Sequence, residues 1–183
     1  DEAAAAYEEG IRRAEQLDDD RGVAVGKAQL GTVSIQQRRY KDALDAYEEA
    51  RQRFTQLNEP GSVAVIWHQT GMAYQQAGQP EAAEDAYRKS LAIAVRLGNV
   101  AGQASTLVQL GNLYDDELNR PEEAVAFYQQ AADKYVEIGD AANEGRARSN
   151  VAETLRKLAR FDEARHEIEG AVACLEALGH AGE

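Results

Sequence analysis

The sequence predicts an all-α protein, a solenoid of stacked antiparallel helix pairs with about nine helices. Partial copies of one pattern recur about every 40 residues: Gly31, Gly71 and Gly111 stand 40 apart, and Ala152 takes the fourth position. A fixed period of this length is typical of repeat architectures, in which each repeat packs on its neighbours. Only three prolines occur among the 183 residues, and 44% of the chain is apolar. Both values suit helices around a shared core.

The charge balance argues against one class of partner. The formal net charge is −12, and residues 1–20 hold eight acidic side chains against Arg12 and Arg13. Binding to a phosphate backbone calls for a basic stripe, so nucleic acid is not expected as a partner. Most of the carboxylates are expected to solvate outer helix faces.

The compartment is constrained by what the sequence lacks. One cysteine, Cys174, rules out an intramolecular disulfide and fits a reducing compartment. No apolar run approaches the roughly 18 residues needed to cross a bilayer, and no signal-peptide pattern opens the chain. A cytoplasmic protein without a membrane partner is therefore expected. The only methionine is Met72, so the sequence is also expected to be a piece of a longer chain.

The opening segment, 1–20, is predicted to be the second helix of a truncated repeat. Ala3, Ala6 and Tyr7 align 40 residues before Ala43, Ala46 and Tyr47. Repeat one, 21–59, then supplies a full pair. Together the five segments are predicted to form a single repeat domain over 1–183.

Repeat two, 60–99, shows the pattern most fully. Trp67, Thr70, Gly71 and Tyr74 fall at i, i+3, i+4 and i+7, which is one face of a helix predicted from about Ser62 to Ala77. The glycine at 78 is a natural helix stop, and the proline at 80 suits the first turn of the next helix.

Repeats three and four vary the pattern. Repeat three, 100–140, carries one extra residue in the turn 116–121. Repeat four, 141–183, has Arg148 at the tryptophan position and Ala152 at the glycine position. Residues without bulk at these positions let two helices cross closely, while large aromatic side chains fill the space beside them.

These residues resemble tetratricopeptide (TPR) repeats, in which a Trp-Leu-Gly-Tyr first helix packs on an Ala-Phe/Tyr-Ala second helix. The resemblance covers essentially the whole chain, although the usual period is 34 residues. The 40-residue variant is similar to the arrays of Pins-type polarity adaptors and to arrays in bacterial regulators that carry signalling ATPase or caspase-like domains. HEAT and armadillo arrays have a similar period, but they are not expected to carry the Trp-Gly-Tyr and Ala-Tyr signature.

The resemblance implies a right-handed superhelix whose first helices line a concave, peptide-binding groove. The predicted groove residues lie beside the packing face of each first helix: Thr32, Ile35, His68, Met72, Gln75, Asn112, Asp115, Asp116, Arg146, Ser149, Glu153, Arg156 and Lys157. This lining begins apolar, passes through amides, becomes acidic and ends basic, so charge complementarity could orient an extended peptide.

Two groove residues match Pins-type repeats individually. Asn112, in Leu-Gly-Asn, is implied to be an amide that clamps peptide backbone, whereas Glu153 replaces it in repeat four. Arg146 matches a groove arginine, which implies a carboxylate partner. The alternative is that the charged members of the lining are ordinary solvated residues at helix ends.

No constellation of catalytic or metal-binding residues is evident. His68, His166 and His180 are far apart and lack metal-ligand spacing, and Cys174 has no orienting group for a nucleophile. Neither an enzyme nor a cofactor nor a metal site is expected.

The leading expectation for function is a scaffold module that binds a protein or peptide. The alternative is a structural, self-associating arm of a larger signalling ATPase or caspase-like regulator. No polar capping helix follows Leu178, so the face of the last helix near Ile168, Ala171, Val172 and Leu175 is a candidate patch for self-association.

Overall fold

Helices account for nearly all of the chain. In the computed structural model, the structure describes the backbone of residues 2–180, while residues 1 and 181–183 and the side chains of 175 and 177–180 lie outside the described part. Nine α-helices span this backbone: α1 Glu2–Gln16, α2 Asp20–Gln36, α3 Tyr40–Gln56, α4 Pro60–Gln76, α5 Pro80–Arg96, α6 Val100–Asp116, α7 Pro121–Glu137, α8 Ala141–Lys157 and α9 Phe161–His180.

Short turns with one left-handed residue separate the helices. Gly78, Gly98 and Gly139 adopt φ between 64° and 71°, the conformation that ends a helix most readily in glycine. After α4, the amide of Gln79 donates to the carbonyl of Tyr74 at 2.9 Å, which closes the helix end. The turn between α6 and α7 is one residue longer than its counterparts, as the sequence predicted.

The helices form two compact units, Asp1–Ile93 and Ala94–Glu183, hereafter the N-terminal and C-terminal units. The N-terminal unit is built around a core cluster in which Tyr47, Phe54 and Ile66 are buried. In the C-terminal unit Leu110, Tyr114 and Val151 are fully buried. The predicted division into one truncated and four full repeats stays a prediction.

Glycine and tyrosine set the closest helix contacts within each unit. A Cβ built on Gly71 would fall 2.5 Å from the Cδ1 atom of Tyr87, and one built on Gly31 would fall 2.6 Å from the Cε1 atom of Tyr47. Real Cβ atoms do not approach other atoms so closely, so only glycine fits beneath these rings. The predicted steric role of the glycines is therefore confirmed.

An ion-pair cluster fills the tryptophan position in repeat four. Arg148 donates to Glu144 on its own helix at 2.9 Å and to Glu167 on α9 at 3.0 Å. All three side chains are less than a third exposed. The bond to Glu144 and the further bond to Glu167 raise the pKa of Arg148. A charged residue thus replaces the aromatic one because α9 supplies the opposite charge.

None of the described helices is long and apolar enough to cross a membrane.

Candidate interaction surface

Three tyrosines hold polar side chains on the neighbouring first helix. Each phenol hydroxyl forms a hydrogen bond with a residue that the sequence placed in the groove. The pairs are Tyr47 with Thr32 (3.1 Å), Tyr87 with Gln75 (2.8 Å) and Tyr128 with Asn112 (2.7 Å). In each of these three helix pairs, a tyrosine of the packing face therefore forms a hydrogen bond with a residue of the predicted groove lining.

The tyrosine partner shifts by one turn in repeat two. Thr32 and Asn112 directly follow the glycines at 31 and 111, but Met72 stands at this position after Gly71. A thioether is a poor hydrogen-bond partner. Gln75, three residues further along α4, accepts from Tyr87 instead. Met72 remains half-buried beside it.

Two predicted groove residues of the N-terminal unit are more enclosed than the sequence suggested. Ile35 is only 8% exposed and belongs to the core cluster with Tyr47 and Phe54, so it offers little surface to a ligand. It points inward because a large apolar side chain on this face gains more by packing. His68 packs edge to face on Tyr87, with 5.6 Å between ring centroids, and burial lowers its pKa.

In the C-terminal unit, Asp115 connects α6 to α8. Its carboxylate accepts from Lys157 Nζ at 2.7 Å and from Thr154 Oγ1 at 3.1 Å. The bond from Lys157 to Asp115 raises the pKa of the lysine. Burial, followed by the charges of Asp115 and Asp116, raises the pKa of Tyr128. The charges of Asp115 and Lys157 thus neutralise each other, and their ion pair links two helices of the predicted lining.

The charges of Glu153 and Arg156 also neutralise each other. The guanidinium of Arg156 donates two hydrogen bonds to the Glu153 carboxylate, at 2.7 and 3.0 Å, and this pairing lowers the pKa of the glutamate. Both side chains are exposed. Ser149, one turn earlier on α8, donates to the carbonyl of Gly145 at 2.9 Å.

Arg146 differs from the other basic groove residues. Its side chain is exposed, and its guanidinium forms no hydrogen bond or ion pair with any described residue. The bonds from Asn143 lower the pKa of Asp140, and the charge of Arg146 lowers it further. Arg146 is thus a cation available to an external carboxylate.

Asn112 keeps part of its hydrogen-bonding capacity. Its Oδ1 accepts from Tyr128, and its Nδ2 donates to Gln109 Oε1 at 3.4 Å. An amide nitrogen carries two N–H groups. The second has no partner among the residues that the structure describes, so it could donate to a ligand.

An open cavity of about 230 Å³ lies between α8 and α9. Its rim contains three predicted groove residues, Ser149, Glu153 and Arg156. The rest of the lining, which the sequence did not assign to the groove, consists of Ala152, Ala164, Ile168, Ala171 and Val172. The joint change from glycine and tyrosine to Ala152 and Ile168 was the sequence signal that could have located this cavity.

The apolar patch predicted on α9 is only partly present. Ile168 and Val172 are exposed, whereas Ala171 is 7% exposed and lies against α8. The side chain of Leu175 lies outside the described residues. Elsewhere in the described part of the chain, no group of three or more His, Cys, Asp or Glu side chains is placed to hold a metal ion.

The paired helices, their glycine–tyrosine crossings and the period of 40 define a TPR-like helical-repeat protein, which confirms the predicted class. A family model described as soluble NSF attachment protein, SNAP, matches residues 34–175, more than half of the chain. The chain belongs to this SNAP family. Comparison with curated proteins gave no match.

Solved structures share the fold. BtubC (BKLC) from P. vanneervenii superposes with a TM-score of 0.85 at 22% identity, over 97% of this chain and 74% of that one. A Podosopora anserina protein described as a kinesin light chain with nearly identical TPR-like repeats gives 0.69 at 14% identity, over 95% of each chain. The Rap conjugation gene regulator of plasmid pLS20, solved in complex with the Phr* peptide, gives 0.68 at 16% identity, over 87% of this chain and 44% of that one. The all-α solenoid of antiparallel helix pairs is thereby confirmed.

Proposed function

We propose that this chain is a protein-interaction module whose C-terminal unit binds an extended protein or peptide segment along the exposed faces of α6 and α8. Arg146 carries the proposal. It is exposed and has no ion-pair partner among the described residues, whereas Lys157 and Arg156 are occupied by Asp115 and Glu153. A carboxylate of the ligand pairs with the Arg146 guanidinium, whose planar donors suit two parallel hydrogen bonds.

Neighbouring groups give the ligand its orientation. The unused N–H of Asn112 donates to a carbonyl of the bound segment, while the exposed Asp116 attracts a basic group. The Rap regulator, whose fold this chain shares, was solved with a bound peptide, and this similarity of fold supports a peptide as the ligand.

A peptide array tests the proposal. Short synthetic peptides, in which acidic, basic and apolar positions vary independently, are titrated against the full chain, Arg146→Glu and Arg165→Glu. Arg165 is a matched control because it is an exposed helical arginine on α9 outside the described cavity lining. We expect binders to contain an acidic residue and to lose roughly tenfold or more in affinity with Arg146→Glu only. Equal losses in both variants, or none, would count against the site.

Self-association through α9 is a second candidate, and the exposed side chains of Ile168 and Val172 favour it. Sedimentation velocity over a wide concentration range tests it. A growing dimer fraction that disappears in Ile168→Gln supports self-association, and a monomer throughout contradicts it.

A further inference from the structure

We infer that the cavity between α8 and α9 receives a tyrosine side chain from the bound protein segment, an inference that rests on the proposed function. The last helix pair differs from the earlier ones. A tyrosine from the second helix covers a glycine of the first helix in the earlier pairs: Tyr47 on Gly31, Tyr87 on Gly71 and Tyr128 on Gly111. Between α8 and α9 the corresponding residues are Ile168 and Ala152.

The replacement of tyrosine and glycine by Ile168 and Ala152 leaves an open space between α8 and α9. The three tyrosines are at most 3% exposed, whereas Ile168 is 52% exposed and lines a cavity of about 230 Å³. Ala152, Ala164 and Ala171 are small residues in that lining. Pockets for drug-sized ligands typically measure about 300–1,000 Å³, so this smaller cavity suits a single side chain.

A polar group stands where a phenol would need it. Thr32 and Asn112, which bond the hydroxyls of Tyr47 and Tyr128, directly follow the glycine position. Glu153 occupies this position in α8 and lines the cavity. Its carboxylate accepts two bonds from Arg156 and has acceptor capacity left for an O–H donor.

The charge on the rim favours an aromatic ring over an aliphatic side chain. Arg156 lines the same cavity, and a guanidinium over the face of a ring is attracted to its π electrons. Tyrosine combines a large apolar surface with a hydroxyl and is enriched among the residues that dominate binding energy at interfaces. The bound tyrosine would thus occupy, from another molecule, the space that an internal tyrosine fills in the earlier pairs, without their close contact on a glycine.

The first experiment tests the cavity with p-cresol, the side-chain analogue of tyrosine, by amide chemical shifts. We expect shifts at Ala152, Glu153 and Ala164 in the wild-type chain. They should persist in the control Ile168→Val, which leaves the cavity open, and be lost in the double variant Ala152→Gly/Ile168→Tyr. The double variant restores the internal pattern and fills the space with its own ring. Shifts confined to other parts of the chain, or unchanged shifts in the double variant, would overturn the inference.

A second variant keeps the test decisive if the double variant does not fold. Glu153→Gln preserves the shape of the cavity and removes the charged acceptor. We expect the preference for p-cresol over toluene, which lacks the hydroxyl, to fall in this variant. An unchanged preference would contradict the assignment of Glu153 as the acceptor for the phenol.

The third experiment separates this inference from the proposed function. Peptides selected on the full chain are compared with versions in which each aromatic residue is replaced by alanine. Loss of roughly tenfold or more on removing a tyrosine, matched by the same loss with Ala152→Gly/Ile168→Tyr, supports the inference. Binding that depends on Arg146 but is indifferent to both changes leaves the proposed function standing and refutes the tyrosine site. If p-cresol binds but no peptide does, the proposed function fails. The inference that a tyrosine of a bound segment occupies the cavity then fails as well.

Discussion

The ring of Tyr128 packs directly against the backbone of Gly111, so that a Cβ built on residue 111 would fall 2.5 Å from ring atom Cε1. The same ring donates its hydroxyl to Asn112 at 2.7 Å. One tyrosine therefore fixes both the close crossing of α6 and α7 and the orientation of a groove amide. Packing and the candidate site depend on the same pair of helices.

Adding one methyl group at this crossing should destabilise the fold. In Gly111→Ala the new Cβ overlaps a fully enclosed ring, so we expect the free energy of unfolding to fall by about 1–3 kcal/mol. Denaturant titration followed by circular dichroism measures the change. Gly10→Ala is the control, because a Cβ at Gly10 of α1 meets no atom within 4 Å. That substitution should raise stability by about 0.5–1 kcal/mol, as alanine is the better helix former. If Gly111→Ala left the free energy of unfolding unchanged, the close contact of α6 and α7 at residue 111 would be refuted.

The Tyr128 hydroxyl predicts a specific response to alkaline pH. Burial, followed by the charges of Asp115 and Asp116, raises the pKa of Tyr128 above its unfolded value of about 10. The neutral phenol is thus favoured in the folded state. Its contribution is fully present below about pH 10 and declines as the pH rises towards the folded-state pKa, because the unfolded chain loses the proton first.

The variant Tyr128→Phe separates this effect from the other tyrosines. We expect it to lose about 0.5–1.5 kcal/mol at neutral pH through the missing bond to Asn112. Its further loss of stability above pH 10 should be smaller than that of the wild-type chain, although Tyr47, whose pKa burial also raises, continues to contribute. Denaturation at several pH values measures both quantities. An alkaline decline as steep as that of the wild type would contradict the assignment.

The cluster around Arg148 should contribute more to stability than the surface ion pairs. Arg148→Ala leaves the partly buried carboxylates of Glu144 and Glu167 without their shared donor, so we expect a loss of about 1–3 kcal/mol. Arg160→Ala removes a donor from the exposed pair with Glu163 and should leave the thermal midpoint unchanged. Comparable midpoints for the two variants would mean that the Arg148 cluster is only a surface feature.

Local periodicity was enough to predict the helix pairs, the small residues at their crossings and the longer turn before α7. Each of these is encoded within one repeat of the sequence. Contacts that join different repeats were not accessible in this way. The bond from Lys157 to Asp115 depends on how α8 sits on α6, and it removes a lysine that the sequence suggested for ligand binding.

The direction of individual side chains was the second feature that the sequence alone could not predict. Ile35 and Thr32 lie on nearby positions of one helix face, and only packing shows that the isoleucine is enclosed while the threonine reaches Tyr47. The cavity beside Ile168 follows from a joint change at two positions, Ala152 and Ile168, on neighbouring helices of repeat four. Its significance becomes visible only when the rings of Tyr47, Tyr87 and Tyr128 show what normally fills that space.

A charge-swap titration tests the central claim, that Arg146 receives an acidic group of a bound segment. The acidic residue of a selected peptide is replaced by lysine, and both peptides are titrated against the wild-type chain, Arg146→Glu and the control Arg165→Glu. We expect each mismatched pair to bind roughly tenfold or more weakly, the swapped pair to recover much of this loss, and Arg165→Glu to behave as the wild type. Independent, additive losses without recovery would contradict the claim.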